Sequence, residues 1–319
     1  MLRVALYVCP QTVCSSLSMA QDAFSLANHL AGTPRFLLQR FSLDGEPVQL
    51  EFALIQVDGG LQLAEQADLL IVPATGSAIS KTLESNASLL PWLARRTDQQ
   101  LASLCSSAFL LAAAGLLDGR LATTHWALAE AFARRFPQVR LRSDLLLTED
   151  GPLFCSGGAQ AGLDLCLHLI ALHAGEWLAQ QVASAMVIER QRGTQMRFAP
   201  LLPTTDDSTL RPLLAWLHEH HAEAIDLNRL AQQAHCSPRT LLRRFRQATG
   251  LTPGDYLQRL RISLAQQALA GSRQSQEQVA SQIGFADRAT FAKRFKQLCG
   301  ETPGAFRKRM QRSIQHQSQ

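Results

Sequence analysis

Apolar residues in the first two-thirds of the chain form short unbroken runs, each followed by a longer stretch at helical spacing. The runs predict buried strands at residues 2–8, 67–73 and 101–104. The stretches that follow predict helices at residues 19–31, 82–95 and 108–114. Alternating strands and helices indicate an α/β domain of the flavodoxin-like, doubly wound kind, with a mostly parallel sheet covered on both faces. Ligands of such sheets bind beyond the carboxyl ends of the strands.

The last third of the chain shows helical periodicity only, and its pattern occurs twice. Each copy has a short helix, a turn and a basic helix with two buried positions four apart, Leu241 and Phe245 or Phe291 and Phe295. The copies are offset by 50 residues in the basic helix and by 49 before it, so the second turn is one residue longer. This arrangement predicts an all-α domain with two helix-turn-helix motifs, joined by a helix over about residues 254–270.

Charge divides the chain in the same way. Residues 1–207 hold 14 Lys and Arg against 19 Asp and Glu, whereas residues 208–319 hold 17 against 7, a net charge of +10. A basic domain of this size is typical of a nucleic-acid binder, and a merely solubilising surface is the alternative. Two prolines and a polar cluster at 198–208 predict a linker between domains at 1–197 and 209–312, with 313–319 as a tail.

Cysteine usage and hydropathy favour a cytoplasmic protein. The seven cysteines include no C-x-x-C pair, so we expect neither a disulfide framework nor a metal site, and we expect no cofactor. The longest run of apolar residues and glycine, at 108–117, covers ten residues, too few for a membrane span.

The two basic repeats, each closed by Gly-x-Thr-Pro-Gly, resemble the AraC-type DNA-binding domain over about residues 211–312. The resemblance implies double-stranded promoter DNA as the partner, with the second helix of each motif in a major groove. With Leu241 and Phe245 buried, we expect base edges to be contacted by Arg239, Leu242, Arg243, Arg288 and Lys293. We expect phosphates to be contacted by Arg246 and Lys296. For each of these side chains, a solvated position without DNA contact is the alternative.

Cys105 stands between the third predicted strand and an apolar helix, which is the order of a nucleophile elbow. A helix N-terminus there predicts a thiol pKa below its usual value. Residues 105–126, which end with His125 and Trp126, resemble the ThiJ/PfpI group of the class I glutamine-amidotransferase-like fold. Residues 22–28 and 154–169 match the same group. More narrowly, the chain is similar to GlxA-type regulators, which join this fold to an AraC-type domain.

Enzymes of this group use a cysteine, a histidine and an acidic residue near the first helix. By motif these are Cys105, His125 and Asp22, with Asp where the group usually has Glu. Serines replace the glycines usual two positions before and after the cysteine, which disfavours turnover. We therefore expect a ligand pocket formed by Cys105, His125, Asp22, Ser106 and Asp144.

The leading prediction is a transcription regulator, not an enzyme, that binds a small-molecule effector in its first domain and dimerises through that domain. One alternative is a Cys-dependent hydrolase or hydratase fused to a DNA-binding domain. Another is a constitutive DNA-binding protein whose first domain only dimerises.

Overall fold

The structure is a computed structural model that describes residues 1–190, 194–195, 201–202 and 207–315, without the side chains of Ala159 and of residues 311–315. The chain divides into two compact units, Met1–Gln195 and Met196–Gln319. Most of the linker predicted at 198–208 and the end of the tail predicted at 313–319 lie outside the described residues. In the described part of the chain, no helix is both long and apolar enough to span a bilayer.

The first unit is built on a six-stranded sheet in the order β2-β1-β5-β6-β10-β9. All neighbours are parallel except β10 and β9. The first five strands have the flavodoxin-like order, which confirms the predicted α/β class. The strands of this sheet are β1 (Leu2–Tyr7), β2 (Phe36–Phe41), β5 (Leu69–Val72), β6 (Gln100–Leu104), β9 (Leu147–Asp150) and β10 (Leu153–Ser156). Short pairs lie outside it: β3 (Val48–Gln49) with β4 (Leu54–Ile55), and β7 (Leu121–Ala122) with β8 (Arg140–Leu141).

Helices cover both faces of the sheet because its strands bury both sets of alternating side chains. Val4 and Leu6 pack in one hydrophobic cluster, and Ala5 and Tyr7 pack in the other. The first cluster includes helices α1 (Cys14–Ala31), α7 (Ala159–Ala174) and α8 (Glu176–Ala185). The second includes helices α2 (Leu61–Ala64), α3 (Ile79–Ser85), α4 (Leu89–Ala94), α5 (Ala108–Ala113) and α6 (Ala129–Arg135).

One predicted helix is wrong. The stretch expected to be continuous over 82–95 forms two helices, α3 and α4, with Asn86 at the end of the first. The Asn86 amide donates to the Thr82 carbonyl at 2.7 Å and accepts from the Tyr7 hydroxyl at 2.6 Å. A side chain that bonds the backbone in this way competes with helix continuation.

Helices are the regular elements of the second unit, and its described residues include no strand. Its helices are α9 (Arg211–His220), α10 (Leu227–Gln233), α11 (Pro238–Thr249), α12 (Pro253–Gly271), α13 (Gln276–Gln282), α14 (Arg288–Cys299) and α15 (Pro303–Gln315). The pairs α10–α11 and α13–α14 are the two predicted helix-turn-helix motifs. Their turns cover 234–237 and 283–287, and the second is one residue longer. Helix α12 joins the motifs and contributes Leu260 to the core of the first and Ile262 to that of the second.

Candidate functional site

The backbone at Cys105 has the strained geometry of an elbow. Strand β6 ends at Leu104, a single 3-10 turn covers Cys105–Ser107, and α5 follows. Cys105 has a φ of 61°, a left-handed value that is costly for a residue with a Cβ. The Ser107 hydroxyl supports the turn, since it accepts from the Leu104 N–H at 2.9 Å and donates to the Val72 carbonyl at 2.6 Å. The serine that replaces a glycine therefore stabilises the elbow.

Ser106 fixes the elbow to the loop after β5. Its buried hydroxyl accepts from the Thr75 N–H at 2.9 Å and lies 3.4 Å from the Thr75 hydroxyl. Ser106 thus lies at the site, where it holds two loops together.

The predicted activation of the Cys105 thiol is wrong. Burial raises the pKa of Cys105 to about 11, and a hydrogen bond from the Ser106 backbone offsets only part of this effect. The N–H of Ser106 is the backbone donor that the elbow turn offers to the sulfur. One such hydrogen bond does not replace the water that would stabilise a thiolate. At neutral pH the side chain is a neutral thiol.

His125 is held at the edge of the same site in a neutral form. Its Nδ1 accepts from the Ala127 N–H at 3.1 Å, and burial lowers the pKa of His125. Among the described residues no hydrogen bond joins His125 to the Cys105 thiol. The two residues are linked through Thr124, whose hydroxyl donates to the Cys105 carbonyl at 2.9 Å. Gly158 packs closely against the imidazole: a Cβ at this position would lie 3.2 Å from Cδ2 of His125.

Asp22 does not join this site. It is exposed on α1, nearly opposite the buried stripe of that helix, which includes Leu17, Ala20 and Phe24. The residue of α1 that reaches the loops at the carboxyl end of the sheet is Ser16, whose hydroxyl accepts from the Ala74 N–H at 3.0 Å. The cysteine, histidine and acid expected from the resemblance are therefore not assembled here.

The carboxylate of Asp144 is paired with Arg142. Both of its carboxylate oxygens accept from Arg142, at 2.8 and 2.7 Å, and this pairing lowers the pKa of Asp144. Its backbone carbonyl accepts from the Thr194 hydroxyl at 2.5 Å and from the Gln195 N–H at 3.2 Å. Asp144 thus anchors the end of the first unit.

Gln195 is a site residue that sequence reasoning missed. Its side chain is buried, and its amide oxygen accepts from the Trp126 N–H at 3.2 Å. Its amide nitrogen donates to the carbonyls of Thr124 and Leu145, at 2.9 and 3.1 Å, and to the Thr123 hydroxyl at 3.3 Å. Gly157 makes room for it, since a Cβ there would lie 2.7 Å from the amide atoms of Gln195. Sequence patterns do not mark Gln195 because all of these partners lie in distant segments of the chain.

The basic helix of the first motif exposes its predicted contact residues. Leu241, Phe245 and Thr249 are buried along one face of α11. The arginines at 239, 243 and 246 are exposed on the opposite side, and Leu242 is half-buried at the border. The helix starts with a Ser237 hydroxyl that accepts from the Thr240 N–H at 3.2 Å.

The second motif keeps two of its three predicted basic contacts on the corresponding face. Lys293 and Lys296 are exposed opposite Phe291 and Phe295 of α14. The predicted placement of Arg288 on that face is wrong. The offset of 50 pairs Arg239 with an alanine at 289, and Arg288 lies one position earlier. The Arg288 guanidinium donates to Glu277 of α13 at 3.0 Å.

Comparison with known proteins finds a family match in the second unit and relatives that cover most of the chain. The family described as "Helix-turn-helix domain" matches residues 230–309. The HTH-type transcriptional regulator GbdR of Pseudomonas aeruginosa is 31% identical over 281 residues, which are 87% of this chain and 76% of that protein. The regulator CdhR of the same species is 32% identical over 79% of this chain and 75% of its own length. The regulator GlxA of Rhizobium meliloti is 29% identical over 87% of this chain and 86% of its own length.

Two solved structures share the fold of the first unit. A putative transcriptional regulator from Vibrio parahaemolyticus superposes with a TM-score of 0.53 at 18% identity, over 58% of this chain and 98% of its own. DJ-1beta of Drosophila melanogaster superposes with a TM-score of 0.50 at 19% identity, over 59% of this chain and 98% of its own. At these identities the likeness concerns the fold alone.

Proposed function

Because this chain belongs to the GlxA- and GbdR-like family of AraC-type transcriptional regulators, we propose that it reads promoter DNA with α11 and α14 and that a small effector bound in the DJ-1/PfpI-like unit controls this binding. The observation that carries the proposal is the pair of helix-turn-helix motifs whose second helices expose basic residues opposite a buried stripe. Its DNA partner implies that the protein acts in the cytoplasm.

Each exposed residue has a proposed role on the DNA. Residues near the start of a recognition helix reach base edges, so Arg239, Leu242 and Arg243 of α11 and Lys293 of α14 would read bases. Arg246 and Lys296, further along, would bind phosphates. Arg288 can reach a base edge only by leaving Glu277, and an exposed pair of this kind is weak enough to exchange.

In this proposal, the effector binds near Cys105 and His125 without turnover. A neutral thiol, a neutral imidazole and an Asp22 that faces away from the site do not make an activated nucleophile of Cys105. The relatives compared above are named as regulators, which is consistent with this reading. The left-handed backbone of Cys105 is the single feature that favours the alternative, a Cys-dependent hydrolase or hydratase.

We also propose that the first unit dimerises. The exposed apolar side chains Leu172 and Trp177 on α7 and α8 support an interface there. Replacing Trp177 with Glu should shift the sedimentation of the full chain towards the monomer, and an unchanged distribution would exclude these helices from the interface.

The experiment that tests the proposed function compares two fragments. Residues 205–319 should bind DNA with an affinity that falls steeply with salt, because the net charge of +10 lies in residues 208–319. Residues 1–200 should not bind DNA. Equal affinity in the two fragments would overturn the assignment.

A further inference from the structure

The groups around the Gln195 side chain form a polar niche that matches a primary carboxamide. Three oxygens, from Thr123, Thr124 and Leu145, accept from its NH₂ group, and the Trp126 N–H donates to its oxygen. We propose that this niche is the effector's own subsite, which Gln195 fills when no effector is bound. The effector then carries a carboxamide, or a group with the same hydrogen-bonding pattern, and competes with Gln195. This inference rests on the proposed function, because it names the chemistry of the effector.

The niche lies beside His125, a residue of the proposed effector site at Cys105. Thr124 and Trp126, which bind the two ends of the Gln195 amide, flank His125 in the chain. Gly157, on which the amide lies, precedes Gly158, which packs against the His125 imidazole. A ligand held at His125 is therefore within reach of the niche, and a carboxamide on that ligand would find these partners already oriented.

A glycine at 157 is what makes the niche accessible to an amide. With any larger residue there, the Cβ would overlap the Gln195 amide atoms. The same open space would admit the carboxamide of a ligand once Gln195 has withdrawn. An unpaired buried polar group costs free energy, so the niche is stable only when Gln195 or a replacement occupies it.

Gln195 also lies at the boundary between the two units. It is the last residue of the first unit, and the chain continues directly into the second at Met196. Its neighbour Thr194 pairs with Leu145, and the Thr194 hydroxyl and the Gln195 N–H both donate to the Asp144 carbonyl. An effector that takes the niche releases the side chain that holds this end of the unit. Effector binding thereby favours a state with Gln195 withdrawn, which gives it a differential affinity for two states of the protein.

The test uses acetamide as the probe, acetate as its matched control, and the full-length chain. In Gln195→Ala the niche is empty, so amide exchange at Trp126 should be about tenfold faster than in the wild type. Acetamide should slow that exchange and raise the melting temperature of the variant, whereas acetate, which has no N–H to donate, should do neither. Wild-type protein should respond less, because Gln195 competes. Gln181→Ala, at an exposed position on α8, is the control and should behave like the wild type.

A second variant keeps the test decisive if Gln195→Ala folds poorly. Gly157→Ala places a methyl group 2.7 Å from the amide atoms and should expel the Gln195 side chain while it narrows the niche. Exchange at Trp126 should accelerate, and acetamide should not slow it. If acetamide protects Trp126 no better in Gln195→Ala than in the wild type, or equally in Gly157→Ala, the niche is only a structural anchor. The fragment experiment above is independent of this result, so the DNA-binding assignment would stand if the inference failed.

Discussion

His235 and Gly284 occupy the same position in the turns of the two helix-turn-helix motifs, and both have left-handed backbones, with φ of 50° and 83°. The two turns differ in the space that is available to a side chain. A Cβ at Gly284 would lie 2.5 Å from the backbone oxygen of Ala222. The first turn tolerates a side chain, whereas the second packs directly against the chain after α9.

Gly284→Ala should destabilise the C-terminal unit by about 2–4 kcal/mol, because a left-handed strain adds to a backbone clash. Calorimetry of the full chain should show the loss as a lower transition temperature for that unit. His235→Gly is the matched control: relief of strain and added chain entropy oppose each other, and its effect should stay within about 1 kcal/mol of zero. A mild effect of Gly284→Ala would refute the close approach to Ala222.

The raised pKa of Cys105 predicts how its alkylation depends on pH. The reactive thiolate should increase about tenfold per pH unit and should not level off until the pH approaches the pKa of about 11. Cys166 is fully buried with a pKa of about 12, so Cys105 should still react faster. Peptide-level mass spectrometry after iodoacetamide treatment measures both. A plateau for Cys105 below pH 8.5 would instead show an activated thiolate.

Cys105→Ala should leave DNA binding by the effector-free protein unchanged, since Cys105 lies in the first unit and DNA contacts are assigned to the second. Gel-shift titration of the full chain measures this. No amide, isonitrile or aldehyde substrate should be turned over. Turnover at about 1 s⁻¹ or faster is an ordinary rate for an enzyme. If such turnover were found and were lost in Cys105→Ala, the site at Cys105 would be an active site.

Sequence patterns predicted the elements that have an unbroken apolar run or a repeat. The elbow at Cys105, strands β1, β5 and β6, and both helix-turn-helix motifs belong to this group. Strand β2 was missed because it lies at the edge of the sheet and carries Gln39 and Arg40 among its apolar residues. Strand β10 was missed because only three apolar residues, at 153–155, stand between a Gly-Pro pair and a Ser-Gly-Gly turn signal.

The site was harder to predict than the fold because its contacts join distant parts of the chain. Gln195 bonds Thr124 across 71 positions, and no local pattern marks such a pairing. Asp22 is a different case. The apolar spacing of Leu17, Ala20 and Phe24 already places it on the outer face of α1, so a helical-wheel argument could have excluded it.

Lys296→Ala should weaken binding to all DNA sequences about equally, because a phosphate contact carries no sequence information. The slope of log affinity against log salt should become shallower by roughly one unit. Fluorescence anisotropy with specific and random duplexes over a salt series measures both quantities. A loss of affinity confined to the specific duplex would instead show that Lys296 contacts a base edge.

The central claim, that α11 reads DNA with the face opposite Leu241 and Phe245, is tested most directly by comparing two adjacent arginines. Arg243 lies at the centre of that face, whereas Arg244, also exposed, lies to its side. The measurement is the ratio of affinities for the target site and a random duplex at one salt concentration. Arg243→Ala should cost roughly 1–3 kcal/mol at the target site and relax the preference at one base position, while Arg244→Ala should keep the wild-type ratio. Equal ratios in the two variants, or a larger loss for Arg244→Ala, would contradict the account.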